Sequence, residues 1–274
     1  MGVKKELPFV FIGGLRRSGT TMMSEVLTEI PYAFIFREPG LARGTFNVKA
    51  GDATQFRALG TDLESFRRQE IRTSGNRLRR RLGLYRGQPV RQFRDHVLPQ
   101  LLRIVQQIGV KEICHAGWHH YVRWFPDLRM IHIGRDPRDI YISLHSRFMR
   151  GKSGWKGSFT PKTVSRHLNR EFSYLCSMEQ SVESMRVRYE DVCQDEELLT
   201  EVMKFARSPI PGIGAVGGFL STNEKRRSEH DLHGYAITDR RVARWRQSKD
   251  DTLVEAAHDC MHRMEGYCES WGYQ

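Results

Sequence analysis

The chain has 274 residues, enough for one large domain with a full core or for two small ones. With 39% hydrophobic and 28% charged residues the composition is globular, and no apolar run is long enough to span a bilayer. A formal charge of +12 favours anionic partners, while five cysteines without a Cys-x-x-Cys pair suit a reducing, cytoplasmic setting and argue against a disulfide framework or a zinc ribbon.

Short apolar runs alternate with helical stretches, the pattern of a parallel α/β sheet. Two lysines precede the run Pro8–Gly13, but that run is too short for a leader and predicts a first strand. It feeds a glycine turn that opens a helix over 20–30, which stops before Pro31. Further strands are predicted at Tyr32–Phe36, Val110–Cys114, Met130–Ile133 and Met185–Tyr189. Helices are predicted over 97–107, 137–150, 161–181, 196–206 and 251–266, with Asp136 capping the helix that begins at Pro137. Two stretches break the alternation. Residues 41–96 are polar, with eight arginines between Arg72 and Arg94, and predict a basic helical insertion, either solvated or serving as a lid or acceptor platform. Residues 208–239, rich in Gly, Pro and charge, predict a long loop. The expected whole is a single 1–274 domain with a P-loop-like, three-layer α/β fold, a central parallel sheet flanked by helices.

The first turn carries chemistry. Gly14 and Gly19 have the separation of a Walker phosphate loop, Gly-x4-Gly-Lys-Ser/Thr, but Thr20 stands where the lysine belongs. The nearest cations, Arg16 and Arg17, come before the second glycine. Backbone N–H groups at such a turn can still cradle an anion, without the parts that process a γ-phosphate with a metal. An ordinary glycine turn capped by Ser18 is the plainer alternative.

Further along, Arg135 follows the strand Met130–Ile133 and its glycine, and Ser143 lies eight residues on, two turns into the next helix. Arg17-Ser18-Gly19-Thr20-Thr21 resembles the 5′-phosphosulfate loop of sulfotransferases that use 3′-phosphoadenosine 5′-phosphosulfate (PAPS). Arg135 and Ser143, at their spacing, resemble the clamp on the 3′-phosphate of that cofactor in the same family. Arginine suits this because its planar fork gives paired charge-assisted bonds to phosphate, and Arg147, one turn beyond Ser143, is a further candidate.

The resemblance implies more. Glu38, twenty-one residues after Arg17 and followed by Pro39-Gly40, matches the general base of the branch that includes tyrosylprotein and several bacterial sulfotransferases. An attacking hydroxyl needs a group to take its proton. In the branch that uses histidine instead, His115, His119 and His120 would be the candidates. Val110-Lys111-Glu112 resembles a segment whose lysine, with Arg17, stabilises charge on the breaking bond. Val187-Arg188-Tyr189-Glu190-Asp191 resembles the segment whose tyrosine, here Tyr189, contacts adenine. Val242-Ala243-Arg244-Trp245-Arg246 resembles a late motif that closes over the cofactor with Arg244. The Arg-Lys-Gly motif of cytosolic steroid and phenol sulfotransferases is absent, and the resemblance thins over 41–96 and 208–239.

Arg17, Glu38, Arg135 and Tyr189 come from the ends of four different predicted strands, so they converge only at the carboxyl edge of a parallel sheet. The implied activity is metal-independent transfer of a sulfuryl group from PAPS to an acceptor hydroxyl on a glycan, peptide tyrosine, lipid or small molecule, leaving 3′-phosphoadenosine 5′-phosphate (PAP). Competing functions are a P-loop nucleoside or sugar kinase, which would lack its Walker lysine, and a polyanion- or nucleic-acid-binding protein. Against nucleic acid, the 72–94 segment offers only Tyr85 and Phe93 for stacking on bases. Adjacent His119 and His120 lack the spacing of a helical zinc site.

Overall fold

The computed structural model describes residues 7–69, 87–151, 155, 157–211 and 242–274. Five parallel strands, β1 (Val10–Gly14), β2 (Ala33–Arg37), β3 (Gln107–Lys111), β4 (Arg129–Gly134) and β5 (Glu183–Arg188), stand in the order β2-β3-β1-β4-β5. The helices in chain order are α1 (Thr20–Val26), α2 (Ala50–Ala58), α3 (Leu63–Gln69), α4 (Gln88–Gln92), α5 (Leu98–Leu101), α6 (Trp118–Trp124) and α7 (Pro137–Met149). They continue with α8 (Pro161–Glu179), α9 (Tyr189–Val192), α10 (Glu196–Phe205), α11 (Asp251–His262) and α12 (Glu265–Trp271).

The three layers follow from strand periodicity. Side chains alternate between faces, so Phe9 and Phe11 enter one core while Val10 and Ile12 enter the other. In β2, Phe34 and Phe36 join the first core, and Ala33 and Ile35 the second. The first core packs under α7, α8, α11 and α12, and the second under α1 and α10. With helices on both faces the central strands β3, β1 and β4 are buried on both sides, as in a parallel sheet, and β1 is apolar throughout. Phe56 of α2 meets Phe34 edge-on at 4.8 Å, and Phe93, in the π turn Phe93–Val97 between α4 and α5, meets Phe36 at 5.7 Å. Edge-to-face pairs of this kind add about 0.5–1.5 kcal/mol each beyond their buried area. They fasten the segment after β2 to the sheet, and with it the turn that carries Glu38.

The third strand starts three residues earlier than the sequence predicts, at Gln107 rather than Val110, and the helix predicted over 97–107 gives way to α4 and α5 across 88–101. The cause is a polar anchor. The buried Gln107 amide donates to the carbonyls of Pro8 (3.1 Å) and Ala206 (2.8 Å). Gly109 then lets β1 approach, since a Cβ there would lie 2.5 Å from the Val10 carbonyl. A glutamine and a glycine conceal a strand from an apolar pattern. Lys111 thereby becomes the last residue of β3, opposite Arg37.

Helix α1 ends at Val26, short of the predicted residue 30. The Thr28 hydroxyl donates to the Ser24 carbonyl (2.7 Å) and accepts from the Ile35 amide (3.0 Å), turning the chain into β2. The helix predicted over 251–266 is two, α11 and α12, broken at Arg263 and Met264. The predicted long loop is described only at Ser208–Pro211, and most of the arginine-rich 72–94 segment lies outside the described residues. Among the described residues no helix is long and apolar enough to cross a membrane.

Candidate active site

The strand order reverses beside β1, whose neighbours β3 and β4 lie on opposite sides, and open parallel sheets bind ligands at the carboxyl edge of such a point. The turn leaving β1 depends on its glycines. A Cβ on Gly14 would lie 2.5 Å from Ser18 Oγ and 2.6 Å from the Ile133 carbonyl. Gly19 takes φ +103°, and a Cβ there would overlap the Tyr189 ring. Arg17 is also left-handed, with φ 72°. A non-glycine residue in that region costs on the order of 1–3 kcal/mol and persists only where its surroundings hold it.

The plain capped-turn alternative fails here. Gly19, not Ser18, is the N-cap of α1, and no side chain caps the helix. Ser18 is fully buried, and its hydroxyl has no hydrogen-bond partner. A buried hydroxyl left unsatisfied is costly, so the turn keeps in reserve a donor that its own fold does not use. Thr20 is buried and Thr21 half-buried in the first turn of α1.

Arg17 is held from α7 and from the residue that follows β4. Its Nε donates to Ser143 Oγ at 2.9 Å, and Arg135 Nη1 donates to the Arg17 carbonyl at 3.1 Å. Arg135 Nη2 lies 3.4 Å from Asp139 Oδ2, and its guanidinium stands 4.4 Å over the ring of Tyr189, which also fills the space beside Gly19. Five predicted residues, Arg17, Gly19, Arg135, Ser143 and Tyr189, thus form one contiguous cluster. Arg147, half-buried, follows one turn beyond Ser143. Arg244 is exposed and opens the 3₁₀ turn Arg244–Gln247. That turn docks on α7, where the Trp245 amide donates to Asp139 Oδ1 (3.1 Å) and Arg138 lies 4.0 Å over the indole. Asp139 is thereby shared between Arg135 and the Arg244 turn. Burial raises its carboxyl above the ordinary value against the pull of Arg135 and the Trp245 amide.

A second cluster sits at the ends of β2 and β3. Glu38, with φ 56°, donates its amide to the Lys111 carbonyl (2.7 Å), and Lys111 Nζ lies 2.5 Å from Glu38 Oε1. Lys111 is buried, whereas the Glu38 side chain is 32% exposed. Burial pushes the Glu38 carboxyl up, but Lys111, with Lys49 and Arg43, outweighs it and holds the group below its ordinary value. Burial lowers Lys111 in turn, partly offset by Glu38 and Glu112. Arg37 bonds to Glu25 (2.5 Å) and Asp52 (2.7 Å), which leaves Glu38 to Lys111.

The histidines are placed otherwise. His115 is buried; its amide donates to Glu171 (2.8 Å), its Nδ1 lies 3.1 Å from the same carboxylate, and its Nε2 lies 3.2 Å from the Glu112 carbonyl. Both ring nitrogens are engaged in structure. His119 is exposed and stacks obliquely on His120, which packs against Gly87.

Supporting residues escaped the sequence. Glu112 Oε1 accepts from the Gly40 amide (2.8 Å) and the Tyr121 hydroxyl (3.1 Å), so it anchors the turn that follows Glu38. Its position directly after Lys111 was the one available signal. Tyr267, 132 residues from Arg135, bonds to that residue's backbone, and no local pattern announces such a contact.

Residues 8–206 match the sulfotransferase family. No curated protein matches the chain. The sulfotransferase domain of the Synechococcus PCC 7002 olefin synthase is similar in structure, with TM-score 0.55 and 15% identity, over 100% of this chain and 98% of that one. The sulfotransferase domain from the curacin biosynthetic pathway gives TM-score 0.56 and 14% identity over 98% and 99%. A mouse sulfotransferase complexed with PAP gives 0.50 and 8% over 97% and 89%. At these identities the likeness speaks for the fold. The family match runs from the start of β1 past the end of α10, over more than half of the chain, and on that ground the protein is an enzyme of the sulfotransferase family.

Proposed function

We propose that the protein transfers the sulfuryl group of PAPS to an acceptor hydroxyl, with Glu38 as the general base. The observation that carries this is the Glu38–Lys111 ion pair at the carboxyl edge of the sheet, on the same edge as the Arg17–Ser143–Arg135 cluster. The donor set suits a bisphosphorylated nucleotide. Ser18 offers a buried hydroxyl without a partner, Arg17 and Ser143 sit together, and Arg135 is braced against Tyr189. A sulfotransferase of the same fold is known in complex with PAP.

When bound, PAPS would supply the activated sulfuryl group. Ser18, Gly19, Thr20 and Thr21 would hold its 5′ end, Arg135, Ser143 and Arg147 its 3′-phosphate, Tyr189 its adenine, and Arg244 would cover it. Glu38 would take the proton of the attacking hydroxyl. On accepting that proton Glu38 would cease to neutralise Lys111, whose ammonium, with Arg17, would then be available to negative charge on the leaving group. Fixed cations do the work that a metal does in a nucleotide triphosphatase. The five cysteines are free thiols, which suits the cytoplasm, and a single domain accommodates the whole arrangement.

Titration calorimetry with PAP and 5′-AMP at one salt concentration tests the cofactor. PAP should bind much more tightly, and equal affinities would remove the 3′-phosphate site. Labelled-sulfate transfer from PAPS to a panel of glycan, tyrosyl-peptide, lipid and phenol acceptors tests the reaction and finds the acceptor class.

A further inference from the structure

The family match stops at residue 206, yet the chain's C-terminal end reaches the Arg135 cluster. Tyr267 of α12 is 1% exposed, and its hydroxyl makes two bonds to one residue: it accepts from the Arg135 amide (2.9 Å) and donates to the Arg135 carbonyl (3.0 Å). The flanking residues are held from the same side. Trp271 packs so closely over Gly134 that a Cβ there would overlap the indole. Tyr273 donates to Glu190 Oε2 (2.8 Å), while Glu190 Oε1 accepts from the Asp136 amide (3.0 Å). Gly134 at the end of β4 and the two residues that lead into α7 are therefore held by the C-terminal segment, Asp136 by way of Glu190, and the Arg135 side chain passes that constraint to the left-handed Arg17.

We infer that Tyr267 is a positioning residue for nucleotide binding: its hydroxyl sets the backbone of Arg135 and so the aim of its guanidinium. The inference rests on Arg135 as the phosphate arginine. A hydroxyl that both donates and accepts fixes two backbone groups at once, and a phosphate-binding fork loses affinity when its aim drifts. Because the tie is energetic, it acts in both directions: a nucleotide that orders Arg135 must also steady α12.

The test is Tyr267→Phe, which keeps the ring that packs on Phe172 and Trp271. The dissociation constant for PAP and the KM for PAPS should rise roughly tenfold, with kcat at saturating PAPS changing less than either. A hydroxyl with a merely structural role would lower the melting temperature and leave PAP affinity unchanged, and that result overturns the inference. Amide exchange on the unaltered protein is the second measurement. PAP should slow exchange at the Arg135 amide and through 265–271, and unchanged exchange there also overturns it. Arg135→Ala is measured alongside. If that variant binds PAP normally, the assignment of Arg135 has failed; if only Tyr267→Phe binds normally, the positioning role alone has failed.

Discussion

Lys111 Nζ lies 2.5 Å from Glu38 Oε1, joining the last residue of β3 to the first residue beyond β2. The two strands are hydrogen-bonded neighbours, and the Glu38 amide donates to the Lys111 carbonyl, so the pair is fixed by backbone as well as by charge. Burial alone would raise the Glu38 carboxyl, and the net lowering depends chiefly on Lys111. A base works only when ionised, so activity is lost as pH falls through its pKa. In the parent enzyme that acid limb of kcat/KM should lie below the ordinary glutamate value of 4.5. In Lys111→Met the counter-charge is gone while burial remains, and the limb should move to higher pH. An unmoved limb would disconnect Lys111 from the base.

Arg17 and Arg135 should fail differently. Arg17→Ala removes a cation assigned to the breaking bond, where interaction strengthens in the transition state, so kcat should collapse. Arg135→Ala removes the proposed grip on a remote phosphate whose charge does not change, so the KM for PAPS and the dissociation constant for PAP should rise while kcat moves less. Steady-state kinetics on both variants checks the split. An unchanged PAPS affinity in Arg135→Ala would mean the cluster has been mapped onto the wrong end of the nucleotide.

Much of this site was legible because its residues cluster just after strands, and strand ends are marked in sequence by an apolar run meeting Gly, Arg or Glu. Arg17, Glu38 and Arg135 all carry that mark. The third strand did not, since Gln107 and Gly109 serve backbone contacts that an apolar count overlooks. Lys111 was still found through its neighbours, but as a residue inside a strand rather than at its end. Contacts across long chain separations were invisible: the Tyr267 bonds to Arg135 span 132 residues, and the Arg17–Ser143 bond spans 126. Tyr189 was legible as an aromatic at the end of the last predicted strand, but not as a ring already 4% exposed between Gly19 and Arg135.

Glu112 gives a pH-dependent stability. Burial pushes its carboxyl up to about 7, against Arg43 and the bonds from Gly40 and Tyr121. The unfolded chain releases that proton near 4.5, so between the two values the folded state holds a proton that the unfolded state has lost. Rising pH across this window therefore favours unfolding, and the penalty levels off above about 7 at roughly 3 kcal/mol. Glu112→Gln keeps an oxygen for the Gly40 amide and abolishes the titration. Urea unfolding at a series of pH values should show the variant gaining on the parent from pH 4.5 to 7, by up to ~3 kcal/mol. A gap that stays constant with pH would contradict it.

Glu38→Gln is the sharpest test of the chemistry. The amide keeps the shape and the contact with Lys111 but cannot take the acceptor's proton, so turnover should fall by roughly 10²–10⁴-fold. PAP affinity should barely change, because Glu38 belongs to the β2–β3 cluster and not to the Arg17–Ser143–Arg135 cluster. The histidine alternative enters the same experiment through His115→Ala and His119→Ala. His115 is buried with both ring nitrogens engaged, by Glu171 and by the Glu112 carbonyl, so His115→Ala should lower the melting temperature and slow turnover only as far as folding suffers. His119 is exposed, and its loss should leave both nearly intact. Near-normal turnover in Glu38→Gln together with a folded but inactive histidine variant would transfer the base to that histidine, and the Lys111 pair would then be a structural tie between two strand ends.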